Sequence, residues 1–157
     1  MNIIGKRLTL DEFRRYVKDY NFGKIKPNGL VVHHTWKPTK SDWKGEITLE
    51  GIRRYYEAKG WTAGPHLFIA EDGVWLFTPM KDVGIHAGKG NSTYSFGRLK
   101  GYTIGIEVVG DYDAERWTGK TLENVLGVIK ILMSQLKIST ENLTFHRDWT
   151  NQKSCPG

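Results

Sequence analysis

With 157 residues, 39% of them hydrophobic and 25% charged, the chain has the length and apolar content of one globular domain with a sizeable core. Its single cysteine, Cys155, excludes an internal disulfide, so stability must come from packing or from a metal. Twenty-three Lys and Arg against 17 Asp and Glu give a net charge of +6, which favours polyanionic partners without choosing among them.

Nucleic acid is not expected among those partners, because no basic run resembles a nucleic-acid arm. The densest cluster, Arg53, Arg54 and Lys59, is interleaved with Glu50 and Glu57 and reads as an ordinary exposed helix face. A membrane partner is not expected either, since no segment approaches the apolar length of a span. The opening MNIIGKRLTLDEFRRYV lacks the apolar run of a signal peptide, so the expectation is a chain made in the cytoplasm without an export signal.

Taken in chain order, Thr9 and Glu12 match a capping box, and Leu10, Phe13 and Val17 recur behind them at helical spacing. A Lys-, Pro- and Gly-containing connection leads to Gly29-Leu30-Val31-Val32-His33-His34, a short apolar and β-branched run that predicts a buried strand ending in two histidines. Thr48 is the expected cap of a second helix carrying Leu49, Ile52, Tyr55 and Tyr56, with Gly60 at its left-handed close.

His66 to Ala70 and Val74 to Thr78 read as strands joined through Glu71-Asp72-Gly73, and a further strand is predicted from Thr103 to Val109. Thr121 is the expected cap of a long helix whose stripe is Leu122, Val125, Leu126, Ile129, Leu132, Met133 and Leu136. Leu143 to Phe145 closes the series as a short strand. Helices alternating with strands in mixed order predict a single α/β domain over residues 1–157, with a central mixed β-sheet flanked by helices. The order of its strands is not readable from one sequence.

Two of the five histidines, His33 and His146, sit at the ends of predicted strands, where a ligand is held more rigidly than on a loop. Cys155 follows His146 after a loop long enough to fold back. Two imidazoles and a thiolate with one position left open form the donor set of a catalytic zinc site. Hydrogen-bonded structural histidines and a buried cysteine are the commoner reading of the same residues, and spacing alone does not establish a metal site.

The segments VVHHTW, GPHLFIAEDG, HAGKGN, TIGIEVVGDYD and HRDWTNQKSCPG resemble, in this order, the zinc-dependent N-acetylmuramoyl-L-alanine amidases of the type 2 group. That group includes phage endolysins and peptidoglycan recognition proteins, and the likeness runs from about Leu30 to the C-terminus. The resemblance implies Zn2+ held by His33, His146 and Cys155, with His34 turned to the other face. Pro65 stands where some short phage amidases have tyrosine, so the role of general base and acid passes to Glu107. Lys153 is similar to a lysine that stabilises the oxyanion in relatives, and His66 and His86 look like positions near the family's substrate groove, with a structural role equally open for both.

The implied activity is hydrolysis of the bond between the muramic acid and L-alanine of bacterial peptidoglycan by an endolysin-like, bacteriolytic monomer acting on the cell wall. The rival readings are a recognition domain that has lost catalysis and a cytoplasmic amidase that recycles wall fragments. Ending two residues after Cys155, the sequence also reads as a catalytic portion trimmed of a wall-binding domain.

Overall fold

A computed structural model describes residues 1–152 and 154–157. Seven strands, β1 (Arg7–Leu8), β2 (Gly29–His34), β3 (Leu67–Ala70), β4 (Gly73–Leu76), β5 (Ser92–Ser95), β6 (Arg98–Val108) and β7 (Leu143–Phe145), form the sheet. Three α-helices, α1 (Leu10–Lys18), α2 (Glu46–Ala58) and α3 (Gly119–Leu136), cover it. The sheet order is β1-β4-β3-β6-β2-β7, with β5 paired only to β6. Strands β3, β6, β2 and β7 run parallel, whereas β1, β4 and β5 each pair antiparallel with a neighbour, so the sheet is mixed as expected.

Period-two alternation divides the core between the two faces. Leu30 and Val32 of β2, Leu67 and Ile69 of β3, and Ile104, Ile106 and Val108 of β6 point towards α1 and α3. The capping box at the start of α1 forms as predicted: the Glu12 N–H donates to Thr9 Oγ1 at 3.2 Å, and the Thr9 N–H donates to Glu12 Oε2 at 2.8 Å. Helix α1 then buries Phe13 and Val17 against the sheet.

Two expected caps lie elsewhere. Thr48 is inside α2, which begins at Glu46 after Gly45; its hydroxyl accepts the Lys44 N–H at 2.8 Å and so ties down the chain before the helix. Thr121 is buried in the first turn of α3, which begins at Gly119 after Thr118. The buried stripe of α3 is also rotated from the predicted one: Val125, Val128, Ile129 and Leu132 are covered, whereas Leu126 is exposed. Asn124 takes a place in that buried face because its side-chain amide donates to the Ala70 carbonyl at 2.9 Å.

The opposite face is covered less completely. Phe68, Ala70, Trp75, Phe77 and Val109 pack there with Leu49 of α2, leaving a groove between α2 and the carboxyl ends of the parallel strands. In open α/β sheets that end of the strands is where ligands bind.

Candidate active site

Register brings the site together. Parallel pairing sets His33 of β2 beside Glu107 of β6, and Val32 beside Phe145 of β7, so that His146 emerges next to His33 as β7 ends. The His33 and His146 rings lie 4.6 Å apart, centroid to centroid. Asp148 accepts the Phe145 N–H at 2.7 Å and holds the turn that His146 begins.

The loop after this turn folds back as its length allowed. The Arg147 N–H donates to the Cys155 carbonyl at 3.0 Å, and the Ser154 hydroxyl donates to Asp113 at 2.8 Å. Cys155 is thereby buried beside β2, where its sulfur accepts the His34 N–H at 3.2 Å. One donor atom from each of His33, His146 and Cys155 lies within 4.8 Å of the others. His34 is turned away from the three, its Nδ1 accepting the Tyr112 N–H at 2.9 Å.

This donor set suits a borderline-soft divalent ion with nitrogen and sulfur ligands and a remaining open position. His33 is prepared for it: burial, reinforced by the neighbouring His146 and His34, pushes its pKa down to about 3, so the ring stays neutral with a lone pair to offer.

Glu107 lies on the same face in the groove. Its side chain is open on one side, but Oε2 is sealed from solvent and has no hydrogen-bond partner among the described residues. Burial raises its pKa from 4.5 to about 8. An orphaned buried carboxylate oxygen is costly unless a cation or a substrate proton compensates it, and the His-His-Cys cluster in the same groove supplies the place for such a cation.

That shift sets a pH dependence for the metal-free protein. Below pH 4.5 the carboxyl is protonated in both folded and unfolded chains; between 4.5 and about 8 only the unfolded chain gives up its proton, so this group's contribution to stability is lost as pH rises. Glu107→Gln cannot ionise. In urea unfolding the variant should gain at least about 1 kcal/mol on the parent between pH 5 and pH 8.5, and equal pH slopes for the two proteins would contradict the burial of this carboxyl.

The two histidines expected on the substrate side are placed differently from each other. His66 does not reach the groove: it is fully buried, its Nδ1 accepts the Gly105 N–H at 2.9 Å and its Nε2 meets the Asp82 carbonyl at 2.9 Å. His86 does line the groove, but its ring nitrogens face His33 and Thr103. Lys153 lies outside the described residues.

The groove, about 890 Å³ in volume, also has an aromatic wall; Trp36 and Trp61 are candidates for it from the sequence, whereas its tyrosines are not. Tyr56 of α2 stacks on Trp61 at 4.9 Å, Lys59 lies 4.4 Å above the Tyr55 ring, and Trp36 stands 60% exposed at the groove edge. Two adjacent tyrosines on one amphipathic helix were the available signal, since Tyr55 and Tyr56 cannot both face the core.

A mixed α/β sheet with two histidines at the ends of parallel strands and a cysteine folded back beside them, above an open groove, defines the class: an α/β domain whose His-His-Cys cluster could hold a metal ion. Residues 23–157 match the family described as N-acetylmuramoyl-L-alanine amidase, and the chain belongs to that family. It is 30% identical over 103 residues to the N-acetylmuramoyl-L-alanine amidase XlyA of Bacillus subtilis (strain 168), a stretch covering 66% of this chain and 32% of XlyA. The chain thus spans about a third of the length of that curated relative.

Among solved structures, the N-acetylmuramoyl-L-alanine amidase LysC from Clostridium intestinale URNW superposes with a TM-score of 0.68 at 26% identity, covering 85% of this chain and 78% of LysC. Drosophila PGRP-LB superposes with a TM-score of 0.69 over 89% of this chain and 80% of its own; at 19% identity this likeness is one of fold. Among the described residues no helix is long and apolar enough to cross a membrane.

Proposed function

We propose that the chain is a zinc-dependent N-acetylmuramoyl-L-alanine amidase of the endolysin type, cutting the amide between N-acetylmuramic acid and the L-alanine of bacterial peptidoglycan. The observation that carries this reading is the convergence of His33, His146 and Cys155 within 4.8 Å, in a groove shared with the orphaned carboxylate of Glu107. Family membership and the amidases XlyA and LysC support the substrate bond.

His33, His146 and Cys155 would hold the zinc ion, which when bound supplies Lewis-acid polarisation of the carbonyl and lowers the pKa of water. Glu107 takes a proton from the attacking water at its free Oε2 and the water oxygen bonds to the lactyl carbonyl carbon. The same carboxyl then returns the proton to the alanine nitrogen as the C–N bond breaks. Lys153 holds the developing oxyanion in this reading, which for that residue rests on the family resemblance. The aromatic wall of Tyr55, Tyr56 and Trp61 offers apolar ring faces to the sugar, with hydroxyls left for its polar edge.

Digestion of purified peptidoglycan tests the bond. The expected products carry new N-terminal alanine and no new reducing sugar ends. New reducing ends would mean a glycosidase, and tight wall binding without any new amine would leave a recognition domain.

A further inference from the structure

His86 and Thr103 carry a proton order that reaches the metal centre. The chain of contacts begins at a group whose role is fixed, the Gly90 carbonyl, which can only accept. Thr103 Oγ1 lies 2.6 Å from it, so the hydroxyl proton is committed there. Towards His86 Nε2, 3.4 Å away, the same oxygen has only lone pairs to offer, and Nε2 therefore carries the ring proton.

A neutral imidazole has one N–H, so His86 Nδ1 is a bare acceptor. It sits 3.1 Å from His33 Nε2, with the two rings perpendicular, and His33 Nε2 must then be the donor. His33 in turn has one proton, and its Nδ1 is left as a lone pair. The neighbouring imidazole does not compete for this link, because both nitrogens of His66 are taken by the Gly105 N–H and the Asp82 carbonyl.

The fold holds His86 in this pose. A Cβ on Gly105 would come within 2.5 Å of His86 Cγ, so only glycine in β6 lets the ring lie against the strand. The N–H groups of His86 and Ala87 both donate to Asn91 Oδ1, at 3.0 and 2.6 Å.

We infer that His86 is the positioning residue of the metal centre: by accepting the His33 Nε2 proton it sets that ligand's tautomer and orientation, and makes Nδ1 the atom His33 gives to the metal. This rests on the zinc reading above for its consequence, and on the hydrogen-bond chain alone for the proton order. Ligating histidines depend on such a partner for their second nitrogen, and losing it costs about 10–100-fold in metal affinity.

Two readouts on the full chain test it. In long-range proton–nitrogen NMR spectra of the metal-free protein, His33 is expected as the Nε2–H tautomer, and an Nδ1–H tautomer would overturn the proton order. In zinc competition against a chelator, His86→Phe should lose about 10–100-fold in affinity, while His86→Gln, whose side-chain oxygen can accept, should recover most of it. Thr103→Val, which leaves the ring and removes its acceptor, should fall between them. Parent-like zinc affinity in a folded His86→Phe would overturn the role. A parent that binds no zinc yet shows the Nε2–H tautomer would uphold the proton order and sink the metal reading instead.

Discussion

Glu107→Gln should lower the rate of amine release from peptidoglycan by about 10²–10⁴-fold while leaving zinc content at the parent level, because the loss is that of a general base and not of a ligand. Glutamine matches glutamate in shape and fills the same place on β6 beside His33, so the three donor residues keep their support. It cannot accept a proton from water, and it cannot return one to the alanine nitrogen. The metal-free variant is also expected to be more stable than the parent at high pH, which separates lost chemistry from lost folding. Activity within tenfold of the parent would move the proton transfer to another group.

Cys155→Ser should fail differently. A serine hydroxyl does not ionise near neutral pH, so the site trades a thiolate for a weak neutral donor. Zinc affinity should fall further than by the ~10–100-fold typical of losing a hydrogen-bond partner of a ligand, and activity at stoichiometric zinc should fall with it. The backbone bond from Arg147 to the Cys155 carbonyl is independent of the side chain, so the loop should remain docked. Excess zinc should rescue this variant in part and leave Glu107→Gln unmoved. Equal zinc affinity in parent and Cys155→Ser would remove Cys155 from the ligand set.

Much of this site was legible in the sequence because its parts are local. The β-branched run ending in His33 forms β2 at the predicted residues, and the short run before His146 forms β7. The resemblance of five ordered segments then linked residues that spacing alone left ambiguous. Cys155 could be placed beside β2 only by tertiary structure, since its contact with His34 spans 121 positions.

What stayed hidden has physical reasons. Insertion of β6 between β3 and β2 depends on pairings between distant segments, about which hydrophobic pattern is silent. Strand β5 is polar and partly exposed, so it has no apolar alternation to read, and β1 has only two residues. The family resemblance put His66 near the groove, with a structural role equally open. It is buried instead because Gly84 leaves room for its ring and backbone groups satisfy both of its nitrogens. Thr48 and Thr121 have the chemistry of helix caps, but both helices start earlier: Thr48 ties down the preceding chain through the Lys44 N–H, and Thr121 is buried in its first turn.

The most direct test of the central claim is a titration of metal-stripped protein with zinc while new alanine amino groups are counted from purified peptidoglycan. The predicted curve rises from near zero and levels off at about one zinc per chain, as a three-ligand site with one open position requires. Full amine release after stripping, or wall binding with no amine release at any zinc level, would contradict a zinc-dependent amidase built on His33, His146 and Cys155.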